Sequence, residues 1–558
     1  MSEDKSPAIQ KKLTEIRREG EERDAERSAS RSGLPYIDLR KTPVAIEAMK
    51  LVPESDARAG NVAGIQLKVR DMALAVNNQD DPATKKIISG LEERGFKVKL
   101  FIVSKSGLEQ AWHFYKFISA EAKEITGKME IGKKRLEELS MRLTTLDAVK
   151  EEILKTNPAA FTTTTLFEIV LAGALANRAS DIHFEAEEKR ARVRYRIDGY
   201  LHDAYDNLPI KNYATIISRI KLLAGLKINV RGEPQDGRFT IGLTAKEIEM
   251  RVSIIPSEFG ETVVMRILDP DSIHIGLADL GFRPDDLELV ARTLAKPNGL
   301  ILNTGPTGSG KTTTLYAFLR KVNTSDIKII TIEDPVEYHL PGIEQTQVDP
   351  DVGYTFASGL RSILRQDPDV ILVGEIRDAE TADIAMQASL TGHMVFSTLH
   401  TNDAVGAVPR LVDLGVKPQT IGPALSLVIA QRLVRRLCVK CKKEKEISPD
   451  LRANIETFLK KLPARVDRKH YTRFTLYEPV GCPECSKLGY RGRIGIVEFL
   501  EADADFGALV LKDASEAALL GLAKKQEMVT MQQDGILKAI IGQTTLEEVA
   551  EITGPIVW

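Results

Sequence analysis

Short apolar runs alternate with amphipathic stretches along much of the chain. The runs at 300–302, 329–332 and 370–373 are separated from one another by stretches with helical spacing. Strands that alternate with helices predict a doubly wound α/β domain. Upstream, residues 192–197 alternate between arginine and larger apolar or aromatic side chains and lead into Asp198-Gly199, a strong hairpin signal. The pattern therefore predicts a multidomain α/β protein.

Two segments near the N-terminus have a different pattern. Residues 1–32 are rich in Lys, Arg, Glu and Ser and predict a flexible or weakly helical tail. The stretch from about 120 to 155 predicts helix, with apolar residues near heptad spacing. These residues are Leu136, Leu139, Leu143, Leu146 and Ile153. We interpret the stretch as an amphipathic connector packed on a neighbouring domain, with a coiled coil as the alternative.

Composition narrows the class of protein. A chain of 558 residues is too long for one hydrophobic core, so several domains are expected. No apolar run approaches the ~18 residues that span a bilayer, so we expect membrane contact to be peripheral or through a partner. A net charge of −2 and an aromatic content of 6% argue against a nucleic-acid partner.

A glycine-rich loop, GPTGSGKT, stands between a predicted strand and a predicted helix. Its glycines let successive N–H groups point at phosphate oxygens, and the helix N-terminus favours an anion. We expect Lys311 to reach the β- and γ-phosphates of ATP and the Thr312 hydroxyl to coordinate Mg²⁺. The residues expected to bind the nucleotide are Gly305, Pro306, Thr307, Gly308, Ser309, Gly310, Lys311, Thr312 and Thr313.

Acidic residues follow two further predicted strands. Glu333 and Glu337 come after the first, and Glu375 follows the second. Because the carboxyl ends of parallel strands meet at one edge of a sheet, these acids should converge near the γ-phosphate. We assign Glu375 to magnesium and Glu337 to the attacking water as its base, while Glu333 could share either role. Solvated acids that cap loops are the alternative for each one.

A histidine stands at each end of another predicted strand, 393–398. His393 begins it and His400 follows it. A histidine beside a phosphate can donate a hydrogen bond to it, so either residue is a candidate, with a structural role as the alternative.

The four cysteines form two pairs, Cys438-x-x-Cys441 and Cys482-x-x-Cys485. Two such pairs suit a tetrahedral zinc site, in which each pair closes one knuckle. The gap between the pairs exceeds the common zinc-ribbon spacing, so the intervening segment is expected to be an insertion. Disulfides are the alternative. Four thiolates leave no open position on the metal, so the site should be structural.

Four longer motifs follow one another in the second half of the chain. They are GPTGSGKTTT at 305–314, TIEDPVEY at 331–338, LRQDPDVILVGEIRD at 364–378 and TGHMVFSTLHTN at 391–402. They resemble the phosphate loop, Asp box, Walker B region and His box of the type II secretion and type IV pilus assembly ATPase family. The resemblance covers nearly all of 160–555. It implies a RecA-like P-loop ATPase core preceded by a mixed α/β (PAS-like) domain and a small N-terminal α/β docking domain.

The resemblance also implies arginines that reach the nucleotide, often across a subunit boundary. The matching positions are Arg251 and Arg266 in the N-terminal half of the motor, and Arg361, Arg365 and Arg377 beside the Walker B strand. Such an arginine can raise turnover by roughly 10³–10⁵. Surface ion pairs are the alternative for some of the five. The implied catalytic set is Glu337, Glu333, Glu375, Lys311, Arg251, Arg266 and His400.

By this resemblance the protein is expected to be a Mg-ATP-hydrolysing homo-hexamer that powers pilin or pseudopilin assembly, in type IV pilus extension or type II secretion. It would work in the cytoplasm, peripheral at the inner face of the cytoplasmic membrane, with an inner-membrane platform protein and a membrane-associated docking protein. The cysteine-flanked insertion argues against pilus retraction. The Arg-Leu-Gly motif of relatives that bind cyclic di-GMP is not found. A RecA-like nucleic-acid motor and a non-hydrolysing nucleotide-gated scaffold are the alternatives.

We therefore expect five segments. They are a charged flexible tail at 1–32, an N-terminal α/β docking domain at 33–118, a helical linker at 119–158, a mixed α/β N-terminal half of the motor that supplies arginines at 159–275, and a RecA-like ATPase domain at 276–558. The last is expected to contain the Cys₄ zinc subdomain, at about 432–495, and C-terminal helices.

Overall fold

The computed structural model describes residues 7–39, 41–42, 44–68, 70–117, 128–129, 133–155, 163–271 and 275–558. The chain divides into two compact units. The first comprises Met1–Ile197 and Leu201–Ile267, and the second comprises Asp198–Tyr200 and Leu268–Trp558. Over the described ranges, none of the helices is both long enough and apolar enough to cross a bilayer.

The N-terminal part of the first unit is a three-stranded sheet with helices around it. Its elements are α1 Pro7–Ser32, α2 Ile46–Lys50, α3 Glu54–Ala59, β1 Val62–Lys68, β2 Asp71–Val76, α4 Pro82–Glu93, β3 Lys97–Ile102 and α5 Lys105–Trp112. The central strand β2 is antiparallel to β1 and parallel to β3. Its apolar residues Met72, Leu74 and Val76 are fully buried and centre this small core.

Helix α1 is packed on the N-terminal sheet, whereas the sequence predicts a flexible or weakly helical tail for 1–32. Ala25 and Ala29 are buried in the core of the N-terminal sheet. Glu22 is buried too, and its carboxylate accepts hydrogen bonds from Tyr36 Oη at 2.6 Å and Ser104 Oγ at 2.8 Å. The helix therefore attaches through small side chains and one buried acid. Composition alone does not predict this attachment, because none of these residues is a large hydrophobe.

The segment that the sequence predicts as a connector contains two helices, and a third follows it. They are α6 Lys133–Arg142, α7 Leu146–Lys155 and, beyond it, α8 Thr163–Ala176. Leu136, Leu139, Leu143 and Ile153 are buried against the same unit, and Asn177 Nδ2 donates to the Leu143 carbonyl oxygen at 2.8 Å. The heptad-like leucines thus pack within the unit as an amphipathic connector, without a coiled-coil partner in the described part of the chain. Residues 118–127, 130–132 and 156–162 lie outside the described residues.

The rest of the first unit is a seven-stranded sheet. Its elements are β4 Lys128–Met129, β5 Asp181–Ala186, β6 Ala191–Ile197, β7 Tyr200–Leu208, α9 Ile210–Leu223, β8 Gln235–Gly242, β9 Glu247–Ser257 and β10 Gly260–Leu268, with strand order β4-β8-β9-β10-β5-β6-β7. The φ angles of Asp198 and Gly199 are 49° and 97°. Both lie in the left-handed region that the predicted hairpin turn requires.

The second unit is built on another seven-stranded sheet, with order β13-β12-β14-β15-β11-β16-β19. Its main elements are α10 Pro284–Leu294, β11 Gly299–Thr304, α11 Lys311–Val322, β12 Ile329–Glu333, β13 Glu344–Gln347, α12 Phe356–Ile363, β14 Val370–Val373, α13 Ala379–Leu390, β15 Met394–Leu399, α14 Ala407–Asp413, α15 Pro418–Ala424 and β16 Leu425–Leu437. Strands β11, β12, β14 and β15 are parallel and buried along their whole length, as expected of a sheet covered on both faces.

The C-terminal part of the second unit adds an antiparallel edge strand, an insertion and four helices. These elements are β17 Lys443–Lys445, α16 Pro449–Lys461, β18 Leu476–Glu478, β19 Tyr490–Glu501, α17 Ala504–Lys512, α18 Glu516–Lys525, α19 Met531–Ile540 and α20 Leu546–Thr553. Strand β19 pairs antiparallel with β16. Helix α16 and the β17–β18 pair lie in the segment between the two cysteine pairs.

A buried network of charges joins α10 to α19. Arg283 donates to Asp534 at 2.8 Å and to Asp286 at 2.7 Å, and it also contacts Asp285. Lys538 Nζ lies 2.5 Å from the second oxygen of Asp534. Burial raises the pKa of Asp286 to about 7, although Arg283 opposes this shift. Arg283 therefore holds two aspartates that would be costly to leave alone in the interior.

We expect Arg283→Met to destabilise the second unit by about 3–5 kcal/mol, because Asp286 and Asp534 lose their shared cation while still buried. Arg292→Met is the matched control. Arg292 lies on α10, its side chain is 63% exposed, and its pair with Glu501 should contribute less than about 1 kcal/mol. Denaturant unfolding of both variants measures the difference. Equal losses of unfolding free energy would contradict the assignment.

Candidate functional site

The glycine-rich loop lies between β11 and α11. Gly305, Gly308 and Gly310 have φ angles of 148°, 81° and 89°. A Cβ atom on Gly305 would come within 2.6 Å of the Gln431 carbonyl oxygen, so the first position has no room for a side chain. The first N–H groups of α11 have no partner within the helix and open toward the loop. The backbone is thus curled as phosphate binding requires.

Lys311 begins α11 and holds the loop closed. Its Nζ donates to the carbonyl oxygens of Gly305 at 2.7 Å and Pro306 at 3.1 Å. The residue is only 9% exposed, and burial lowers the pKa of its ammonium group. The nearby Glu375 carboxylate opposes that shift. Lys311 is therefore a buried cation that binds carbonyl oxygens of the loop itself, and the acid that acts on its pKa follows another strand.

Glu375 follows β14 at the carboxyl edge of the sheet. One of its oxygens lies 2.5 Å from Arg377 Nη2, and the other lies 3.4 Å from His400 Nε2. His400 follows β15 at the same edge. The structure therefore brings Lys311, Glu375 and His400 together from three separate parts of the sequence.

His393 lies at the opposite edge. It precedes β15, whose strand runs parallel to β11, so it is at the amino end of the sheet. Its Nδ1 lies 3.0 Å from the Ala388 carbonyl oxygen. The phosphate loop is at the carboxyl end of the sheet. The prediction that His393 could donate a hydrogen bond to a phosphate is therefore wrong.

Glu333 is a buried anchor at the end of β12. It is 3% exposed and accepts hydrogen bonds from Tyr316 Oη at 2.5 Å, Thr331 Oγ1 at 2.6 Å and Gln345 Nε2 at 3.2 Å. Burial raises the pKa of its carboxyl group. Through Tyr316 it fixes α11 to the sheet. Its carboxylate is consequently engaged within the protein.

Glu337 lies in the loop that follows β12 and is partly buried. Its negative charge adds to the rise in the pKa of Glu333, so the two carboxylates are near each other. The two glutamates therefore differ in exposure, because Glu333 is buried and Glu337 lies nearer the solvent.

Several polar residues that the sequence analysis did not single out support the loop from beneath. Gln431 of β16 accepts hydrogen bonds from Asn303 at 3.1 Å and Thr314 at 2.8 Å. Buried residues of this kind have no local sequence signal, because strand pairing alone brings β16 beside β11. Loop hydroxyls remain for a ligand. Thr312 is exposed, and the buried Ser309 Oγ has no hydrogen-bond partner among the described residues.

These features fit a bound nucleotide phosphate with its magnesium ion. The buried Ser309 hydroxyl, the N–H groups at the N-terminus of α11 and the Lys311 ammonium are donors that suit an anion. The Thr312 hydroxyl and the Glu375 carboxylate are oxygen ligands of the type that Mg²⁺ prefers.

The five arginines are distributed over both units. In the first unit, Arg251 Nε lies 3.7 Å from Glu249, and Arg266 Nε lies 3.0 Å from Asp181 while its side chain is 55% exposed. In the second unit, Arg361 pairs with the exposed Glu380 and Arg377 with Glu375. Arg365 donates to the Arg361 carbonyl oxygen at 2.9 Å and to Ser362 Oγ at 3.1 Å.

The four cysteine sulfurs form one cluster. All lie within 4.8 Å of one another, with Cys438–Cys482 at 3.9 Å and both Cys441–Cys485 and Cys482–Cys485 at 3.8 Å. Sulfurs bound tetrahedrally at a Zn–S distance of about 2.3 Å lie about 3.8 Å apart. All four thiols are free. The backbone N–H groups of Gly481 and Gly489 donate to Cys441 and Cys485 at 3.3 Å, as suits thiolates. The donor set therefore fits a Zn²⁺ ion.

Known proteins resemble the chain over most of its length. The family model described as "Type II/IV secretion system protein" matches residues 158–551. The chain is 39% identical to the Type IV pilus assembly ATPase PilB of Myxococcus xanthus, over 94% of this chain and 89% of that protein. It is 46% identical to the Type II secretion system protein E of Pectobacterium carotovorum, over 70% of this chain and 75% of that protein.

A solved structure supports the fold. The ATPase DotB of Legionella pneumophila superposes with a TM-score of 0.51 at 22% identity, over 70% of this chain and 96% of that one. The predicted α/β fold and the predicted family are both confirmed. The chain belongs to the type II/IV secretion system protein family and is a secretion or pilus-assembly ATPase of that family.

Proposed function

We propose that the protein is a Mg-ATP-hydrolysing hexameric motor that powers pilin or pseudopilin assembly. The observation that carries the proposal is the meeting of Lys311, Glu375 and His400 beside the phosphate loop. The names of two relatives, a pilus assembly ATPase and a type II secretion system protein, also support this function.

Nucleotide binding rests on the loop and on Lys311. The N–H groups of the loop and the N-terminus of α11 attract the β- and γ-phosphates. Lys311 Nζ, which otherwise binds the Gly305 and Pro306 carbonyls, turns its charge to the phosphate oxygens. An anion beside this buried ammonium offsets the effect of burial and favours the charged form.

Hydrolysis needs a base for water and a balance of charge at the γ-phosphate. Glu337 is the base, because it is partly exposed at the carboxyl edge, whereas Glu333 is buried. Thr312 and Glu375 would hold Mg²⁺, and the ion would supply positive charge against the charge that develops on the phosphate oxygens. His400 donates a hydrogen bond to the γ-phosphate from its position beside Glu375.

Arginines from a neighbouring subunit complete the site. Arg361 and Arg377 contact acids of their own chain, as Arg251 and Arg266 do, so these pairs do not by themselves select the cations for the γ-phosphate. We assign the γ-phosphate cations to Arg251 and Arg266 of an adjacent copy in a homo-hexamer. Closing of such a ring around ATP would drive an inner-membrane platform protein from the cytoplasmic face of the membrane, and the N-terminal part would bind a membrane-associated docking protein.

We expect Lys311→Ala to abolish ATP binding and turnover. Glu337→Gln should lower kcat by about 10²–10⁴-fold while ATP binding stays, because it removes only the base. Lys321→Ala, an exposed lysine in the last turn of α11, is the control and should match wild type. Phosphate release and binding of a fluorescent ATP analogue measure the two effects. Full turnover by either active-site variant would contradict the assignment.

We also propose that Cys438, Cys441, Cys482 and Cys485 hold a structural Zn²⁺ ion. The sulfur distances and the N–H donors to sulfur support this, and four thiolates leave no position open for chemistry. The ion would supply a fixed link between the β16 end and the segment that precedes β19.

We expect the purified protein to contain about one zinc per chain. Cys438→Ser should lose the metal and expose the insertion to protease, while ATP still binds. Val439→Ser lies between two ligands, is 69% exposed, and should keep the zinc. Elemental analysis and limited proteolysis measure both results. A wild-type chain without zinc, or with its cysteines in disulfides, would refute the site.

A further inference from the structure

The loop that carries His400 is fixed to the strand that leads into the phosphate loop. The Thr401 N–H donates to Thr304 Oγ1 at 2.8 Å, and the two threonine hydroxyls lie 2.7 Å apart. Within the loop, the Gly406 N–H donates to Asp403 Oδ1 at 2.7 Å. The position of His400 therefore depends on how this loop is held.

Arg432 of β16 bridges the two loops. Its Nη2 donates to the Asn402 carbonyl oxygen at 2.8 Å, and its Nη1 donates to the Gln431 carbonyl oxygen at 3.0 Å. A Cβ atom on Gly305 would lie 3.0 Å from the same Nη1, so the guanidinium packs against the first glycine of the phosphate loop. A planar fork with several donors can make both contacts at once.

Glu498 of β19 holds the loop from the other side. It is 5% exposed, and its two oxygens accept from the Ala404 N–H at 2.8 Å and the Met531 N–H at 3.1 Å. Met531 is the first residue of α19. One buried carboxylate thus joins the His400 loop to a C-terminal helix.

The charges of this cluster reach the nucleotide site. Burial lowers the pKa of Arg432, and Glu498 and Asp403 oppose the shift. No carboxylate forms a direct ion pair with Arg432 within the described ranges, and its charge contributes to the lowered pKa of Lys311. A half-buried cation without a direct acid partner leaves positive potential beside the phosphates.

We propose that Arg432 and Glu498 are positioning residues for hydrolysis, which hold the loop carrying His400 against the phosphate loop. This inference rests on the proposed function. Arg432 acts through the loop geometry and adds positive charge for the nucleotide. Glu498 acts through geometry alone, since it faces two backbone N–H groups.

The test is a set of steady-state and binding measurements on the full-length protein. Arg432→Lys keeps the charge but loses the fork, so kcat should fall by about 10–100-fold while the Kd for the ATP analogue is unchanged. Arg432→Gln should also weaken binding. Glu498→Gln places an amide against one N–H donor and should lower kcat alone. Arg436→Lys and Arg436→Gln, exposed on the same strand, are controls and should match wild type.

A double variant separates positioning from general damage. In the His400→Ala background, Arg432→Lys should lower kcat no further, because both changes remove the same contact. Wild-type kcat in Arg432→Lys, or a loss that only follows the folded fraction, overturns the inference and leaves the proposed function standing. A wild-type protein that binds ATP without any turnover overturns both.

Discussion

Parallel pairing of β11, β12, β14 and β15 is the constraint on which the site depends. The register Thr304↔Leu399 and Val373↔Ser397 brings the ends of these strands to one edge. Lys311, Glu375 and His400 each follow a different strand and meet there as a result. Because the strands are buried along their length, their register is strongly specified. A shift of one strand against its neighbours would move the group that follows it out of the site. The chemistry of the site is thus a consequence of sheet pairing.

Residues whose role depends on local sequence could be predicted. The phosphate loop needs only its glycines and the strand and helix beside it, and the cysteines need only their spacing. Roles that depend on the end of a strand were harder to assign. Glu333 and Glu337 follow the same strand, and burial distinguishes them. His393 and His400 flank one strand, and only its direction in the sheet separates them.

Contacts between residues far apart in the sequence could not be predicted, because they have no local sequence pattern. Arg432 and Glu498 are single charges on β16 and β19, and they acquire a partner loop only through the pairing of three strands. Glu22 of α1 is similar, since it looks like one more charge in a polar segment until Tyr36 and Ser104 bind it. From composition alone such residues are expected to be solvated. A buried polar residue is recognised by its hydrogen-bond partners, which its residue type does not reveal.

We propose that one chain holds an incomplete site. Arg361 and Arg377 have acidic partners within their own unit, and the further cations for the γ-phosphate are proposed to be Arg251 and Arg266 of an adjacent copy. The most direct test is specific ATPase activity over a range of protein concentrations, with the assembly state followed by sedimentation. We expect specific activity to rise as rings form. Constant specific activity down to concentrations at which the protein is monomeric would contradict it.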